Sequence, residues 1–136
     1  MIPTRLEVSL VVDGIPPSPN EMRRRHWGAR AKEAPVWRRA AYLAAYDALR
    51  SSGLGDAFPL RKAAVDLVFV SPAARGDLDN LVSSAKPILD GISRGLGGPG
   101  ERGPLLYDDG VGCLEVLRAR WRRGPRAAVE VTVREV

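Results

Sequence analysis

The chain has 136 residues, 45% of them hydrophobic, and 21 Lys and Arg against 16 Asp and Glu give a formal charge of +5. That length suits one domain with one core and excludes two, and no apolar run approaches the roughly 20 residues of a membrane span. The basic balance is that of phosphate-binding proteins, in which each neutralised phosphate releases counterions.

Residues 5–13 alternate, with Leu6, Val8, Leu10 and Val12 on one face and Arg5, Glu7 and Ser9 on the other, which predicts a half-buried strand. Asp13-Gly14 and the prolines between 16 and 19 end it, because proline lacks the donor a ladder needs. Next comes Met22-Arg-Arg-Arg-His-Trp27, followed by Arg30 and Lys32. It reads either as a solvated basic loop or as an arm in which Arg23, Arg24 and Arg25 contact phosphates while Trp27 anchors it or stacks on an unpaired base. His26, the only histidine, reads as a surface or DNA-contact residue. Residues 35–50 predict a helix: Pro35 suits a first turn, and Trp37, Ala41, Ala44, Ala45, Ala48 and Leu49 recur at helical spacing. Gly53 is its expected stop, and Trp37 is expected in the core.

Residues 63–70 predict the second strand, with Val65, Leu67 and Phe69 on one face. A helix follows over about 79–94, interrupted by Pro87, which removes a hydrogen bond and pushes residue 86 from the α region. Either that helix kinks, or a short turn ends near Ser84 and a new helix starts at Pro87. Residues 95–103 form a glycine-rich stretch that reads as a mobile loop and not as a phosphate cradle, since no strand precedes it and no lysine ends it. Residues 112–121 and 127–135 predict two strands joined by Arg122-Arg-Gly-Pro-Arg126, a β-hairpin with a basic tip. Arg118, Arg120 and Arg122 alternate there with Leu117, Ala119 and Trp121, a row that serves either as edge protection or as a DNA track. Cys113, the single cysteine, excludes an internal disulfide framework and reads as a small buried apolar residue. With no apolar stretch of signal-peptide length before the first charges, a cytoplasmic location is expected. The order β, α, β, α, β, β predicts an α+β fold over 1–136: a small single domain, a mixed sheet of about four strands with two helices on one face, ending in a β-hairpin.

The chemistry gathers in Arg75-Gly-Asp-Leu-Asp-Asn-Leu81 and in Tyr107-Asp-Asp-Gly110. Four or five carboxylates at strand and helix ends repel one another at neutral pH unless a cation sits among them. Oxygen-only ligation with no local His or Cys favours Mg²⁺, or Mn²⁺ in its place, over zinc. Asp77 and Asp79 differ by two, so in an extended segment both side chains leave the same side. In a helix beginning near Asp79, Ser83, Lys86 and Asp90 return to its face at offsets of four, seven and eleven. The alternative is that Asp79 is an N-cap and Asp77 a solvated loop residue.

Asp77-Leu-Asp-Asn-Leu81, Lys86-Pro-Ile-Leu-Asp90 and Asp108-Asp109, preceded by Ile15-Pro-Pro-Ser-Pro-Asn20, stand in the order found in the RusA-type Holliday junction resolvases, which the chain resembles over nearly its whole length. The resemblance implies a homodimeric, Mg²⁺-dependent endodeoxyribonuclease that makes paired cuts in four-way DNA junctions during recombination and repair. It implies that Asp77, Asp79 and Asp109 hold the ion, with Asp108 and Asn80 in support. Lys86 then stabilises charge on the phosphate, and Asp90 orients either Lys86 or a metal-bound water. Arg23, Arg24, Arg25, Arg75, Arg122 and Arg123 are the expected DNA contacts. One departure stands out. In the family a lysine follows the second motif aspartate by about one helical turn; here Ser83 stands in its place and Lys86 comes three residues late. The displacement prompts a rival expectation, a branched-DNA-binding protein that keeps the fold without turnover. A glycosyltransferase Asp-x-Asp site fits poorly with so small and basic a chain.

Overall fold

Valine and leucine at every second position build the sheet. The computed structural model describes residues 6–19, 21, 27–74, 76–97, 102–108 and 110–136. In β1 (Glu7–Asp13) Val8, Leu10 and Val12 are buried, and the residues between them are exposed. β2 (Ala63–Ser71) is buried along almost its whole length, as a central strand covered on both edges must be. β3 (Leu114–Arg123) and β4 (Ala128–Glu135) complete a four-stranded sheet of order β1-β4-β2-β3. β4 pairs antiparallel with β1 and β2, and β3 pairs parallel with β2. The registers align apolar rows across all four strands: Val8, Val133, Val65 and Leu117; Leu10, Val131, Leu67 and Ala119; Val12, Val129, Phe69 and Trp121.

The mixed α+β sheet is as expected, but its last two strands do not form the hairpin that their sequence suggests. β2 lies between them. The helical crossover after β2 returns the chain to the start of that strand, so β3 must run parallel to it. Residues 124–127 then carry the chain over the end of β2 to its other edge. Gly124 N–H donates to the Ser71 carbonyl at 3.1 Å, and a Cβ at Gly124 would lie 2.3 Å from Val70 Cγ1. The link thus presses against β2 where only a bare α-carbon fits. Trp121 fixes the same corner, its Nε1–H donating to Ser71 Oγ at 2.8 Å.

Three helices, not two, are found among the described residues, beside a short 3-10 turn at Gly55–Ala57. α1 (Trp27–Ser52) starts eight residues earlier than the sequence suggests, and Pro35 lies inside it. The helical segment after β2 breaks at Ala85 into α2 (Leu78–Ser84) and α3 (Lys86–Ser93). That is the second of the two alternatives for Pro87: the residue without an N–H sits in a first turn, where no donor is needed. Ala41, Ala45 and Leu49 of α1 share one buried cluster with Leu81, Ala85, Ile88 and Ile92 and with the apolar rows of the sheet. α3 lies close on α1 because Gly91 faces the Arg38 carbonyl, where an added Cβ would come to 2.4 Å. Trp37 packs against the core half-buried, its Nε1–H donating to Glu33 at 2.9 Å.

Leu105 and Leu106, for which periodicity predicts no element, are fully buried. Their N–H groups donate to the Ile92 carbonyl, each at 3.1 Å, and Leu106 bridges Leu60 just ahead of β2. Cys113 is half-buried, more open than expected, because it lies in the turn that enters β3. No described helix is long and apolar enough to cross a membrane.

Candidate metal and nucleic-acid site

The acidic motif leaves the end of β2 and becomes the start of α2. Asp77, not Asp79, takes the N-cap position, with φ −90° and ψ 154°, and its side chain makes no capping hydrogen bond. Its carbonyl accepts the Leu81 N–H at 3.2 Å and so begins the helix. Asp79 is the second helical residue, and its Oδ1 accepts the Asn80 N–H at 3.0 Å. Both carboxylates are exposed at the positive end of the helix, where negative charge is favoured. Neither makes an ion pair within the described residues.

The proline segment after β1 packs beside this turn. Ile15, Pro16, Ser18 and Glu21 line a cavity of about 150 Å³ together with Gly76 and Asn80. Ser18 Oγ accepts the Glu21 N–H at 3.2 Å, and Glu21 Oε1 accepts the Ser18 N–H at 3.4 Å. This reciprocal arrangement is legible in the sequence as Ser18-x-x-Glu21. Glu21 is therefore a carboxylate bordering the acidic turn that motif reading overlooked. The signal was local, but its meaning depends on a long-range contact.

Lys86 opens α3 and pairs with Asp90 one turn on, Nζ to Oδ1 at 3.0 Å. Ser83, Lys86 and Asp90 border one groove of about 220 Å³, whose opposite wall holds Pro16, Pro17 and Trp37. The expected stripe thus survives from Ser83 to Asp90. Asp79, one turn before Ser83 in the same helix, does not line that groove.

Asp108 lies elsewhere. Its Oδ1 accepts from Arg94 Nε–H at 3.2 Å, just beyond the end of α3. α2 begins past the end of β2, whereas the end of α3 meets Leu105 and Leu106 beside the start of β2. The two helices therefore run back along that strand, and Asp77 and Asp79 stand at the opposite end from Asp108. Sixteen residues at about 1.5 Å each put the separation on the order of 20 Å. The expected union of Asp108 with Asp77 and Asp79 is not formed, and among the described residues no three His, Cys, Asp or Glu side chains group to hold a metal. Asp77 and Asp79 by themselves fit a hard cation: oxygen donors only, with no ion pair competing for them within the described residues. Asp108, engaged by Arg94, does not share in that fit.

Of the expected DNA contacts, Arg122 and Arg123 are exposed at the end of β3. Arg122 reaches Glu130 at 2.5 Å, and the Arg123 guanidinium lies 5.9 Å from the Trp121 ring centroid. Arg118 and Arg120 join Arg122 on the sheet face away from the helices, beside Asp66, Glu130 and Thr132. Arg134 pairs there with Asp66. Asp109, Arg23, Arg24, Arg25, Arg75 and His26 lie outside the described residues. No family model matches the chain, and no curated protein matches it.

Proposed function

We propose that the protein is a metal-dependent, structure-selective endodeoxyribonuclease whose substrate is four-way DNA, acting in recombination and repair in the cytoplasm as a homodimer of RusA type. The observation that supports this reading most is the pair Asp77 and Asp79. Two exposed carboxylates, two residues apart, sit at a helix N-terminus without an ion-pair partner among the described residues. Their donors are oxygens only and carry no competing ion pair among the described residues, which suits a hard cation held beside a polyanion. A Mg²⁺ bound there would supply an activated water and charge relief on the phosphate. Asp77 and Asp79 would hold it, with Asn80 beside them in support; Asp109, which the resemblance adds to the ligand set, lies outside the described residues. Lys86, oriented by Asp90, offers its ammonium to a phosphate oxygen. Arg122 and Arg123, with Arg23, Arg24, Arg25 and Arg75, neutralise backbone phosphates. Two-fold symmetry in the protein matches two like strands in the substrate.

One observation favours a second reading, a branched-DNA-binding protein without turnover: Asp108 is engaged by Arg94 at the far end of the helical segment. A nuclease assay decides between them. Labelled four-way junction, flap, fork and duplex are incubated with the protein, with and without Mg²⁺. The nuclease reading expects paired, Mg²⁺-dependent cuts in the junction. Tight junction binding without cleavage in Mg²⁺ or Mn²⁺ would establish the second reading instead.

A further inference from the structure

On the side of the molecule where α1 ends, an open groove of about 620 Å³ runs between Tyr46, Arg50, Asp56, Phe58, Arg102 and Tyr107. Its chemistry is unlike that of the acidic turn. The guanidinium carbons of Arg61 and Arg102 lie 4.8 and 4.5 Å from the Tyr107 ring centroid. Within the described residues neither arginine makes an ion pair, so two like charges are gathered at one aromatic ring with no carboxylate to balance them. Arg50 adds a third cation; it pairs with Asp47 at 3.6 Å with both side chains largely exposed, a weak pair in water. Among the described residues Asp56 is the single carboxylate lining the groove. Tyr46 is 43% exposed, while an edge contact with Tyr42, with ring centroids 4.9 Å apart, holds its ring in place.

We propose that this groove binds an unpaired stretch of a DNA strand, with Arg50, Arg61 and Arg102 on the phosphates and Tyr46 and the guanidinium planes stacking the bases. The charge excess calls for a polyanion. The exposed ring and the flat guanidiniums call for one that carries planar bases, since aromatic faces and arginine planes are the platforms on which unstacked bases rest. An acidic peptide would satisfy the arginines and leave Tyr46 without a purpose. Tyr107, on the groove, is followed in the chain by Asp108 of the second acidic motif. This inference rests on the reading of the protein as one that acts on branched DNA, whose arms expose unpaired bases where they meet.

The test is fluorescence anisotropy with an oligothymidine of about twelve nucleotides, within the span such grooves cover, an abasic strand of equal length, and a polyglutamate peptide. Junction cleavage is measured in the same preparations. The oligothymidine should bind more tightly than the abasic strand and the peptide. Arg61→Ala with Arg102→Ala should weaken it about tenfold and flatten the slope of log affinity against log salt by about 1.4, two single-strand phosphate contacts at about 0.7 each. Tyr46→Ala should weaken oligothymidine about fivefold or more and leave the abasic strand unchanged, while Tyr46→Trp should restore the preference. Arg102→Lys keeps the charge without the plane, so it should keep the salt slope and narrow the gap between oligothymidine and abasic strand. Equal binding of both strands by the wild-type protein, tighter binding of the peptide, or an unaltered slope in the double variant overturns the proposal. Those results with junction cleavage intact sink the groove alone. Absent cleavage with the groove effects present sinks the nuclease reading alone.

Discussion

Replacing Asp77 by Asn removes one charge from the acidic turn and almost nothing else. The side chain makes no capping hydrogen bond, so the ordinary loss of about 0.5–2 kcal/mol on removing a helix cap does not apply, and Asn is itself a good cap. What remains is the interaction of an exposed carboxylate with the positive end of a short helix, about 0.3–1 kcal/mol at low salt. Stability should therefore fall by less than about 1 kcal/mol. Junction affinity should stay level or rise: a unit charge about 6 Å from a phosphate in water is worth roughly 0.7 kcal/mol of repulsion, or about threefold in binding. Cleavage should drop below detection, because one of two ion-holding carboxylates is gone. Single-turnover cleavage of a labelled junction in Mg²⁺ measures the rate, and binding without divalent metal measures affinity. Cleavage by Asp77→Asn at the wild-type rate would remove the residue from the mechanism and with it the main support for a metal at this turn.

Lys86→Ala should lower turnover by about 10²–10³ while changing junction affinity by less than about tenfold, and Lys86→Arg should rescue it poorly. A native single-turnover rate in Lys86→Ala would show that its pairing with Asp90 is structural only. Gly91→Ala should destabilise the protein by about 1–3 kcal/mol despite the gain in helix propensity, since the new methyl meets the Arg38 carbonyl; a thermal midpoint lowered by several degrees checks it, and an unchanged or raised midpoint refutes the close α1–α3 approach. Arg122→Ala should flatten the salt dependence of junction binding by about 0.9 if that side chain leaves Glu130 for a phosphate, and an unaltered slope would keep it as a cross-strand pair.

Much of this fold is legible in short-range pattern. Val8, Leu10 and Val12 announce β1, and Val129, Val131 and Val133 announce β4 by the same alternation. Trp37, Ala41, Ala45 and Leu49 mark the buried face of α1. Strand order is not legible that way, because a hairpin and a split pair share the same alternation and the same turn residues. What decides it is β2, apolar on both faces and so able to take a neighbour on each edge, together with the bare α-carbon of Gly124 at Val70. Leu105 and Leu106 escape for a related reason: their partners, Leu60 and Ile92, are distant in sequence and no period links them. The site divides along the same line. The spacing of Asp77 and Asp79 is local and visible in the sequence, whereas the pairing of Asp108 with Arg94 and the approach of Glu21 exist only in three dimensions.

The break at Ala85 ties these differences together. In a continuous helix the three residues that delay Lys86 would turn it through most of a revolution and leave it on the face of Asp79. Instead Ala85 closes α2, its N–H reaching the carbonyls of Leu81 and Val82, and α3 starts afresh with Lys86 and Pro87. Restarting the helix frees α3 to set Gly91 against α1, a contact that one straight helix would have to reach from the direction of α2. It also turns Lys86 toward Pro16, Pro17 and Trp37 instead of toward Asp79. The proline segment that lines the Lys86 groove lines the cavity at the acidic turn as well, with Pro16 and Ser84 in both. Lys86 and the acidic turn therefore border neighbouring cavities that share Pro16 of the proline segment and Ser84 of α2.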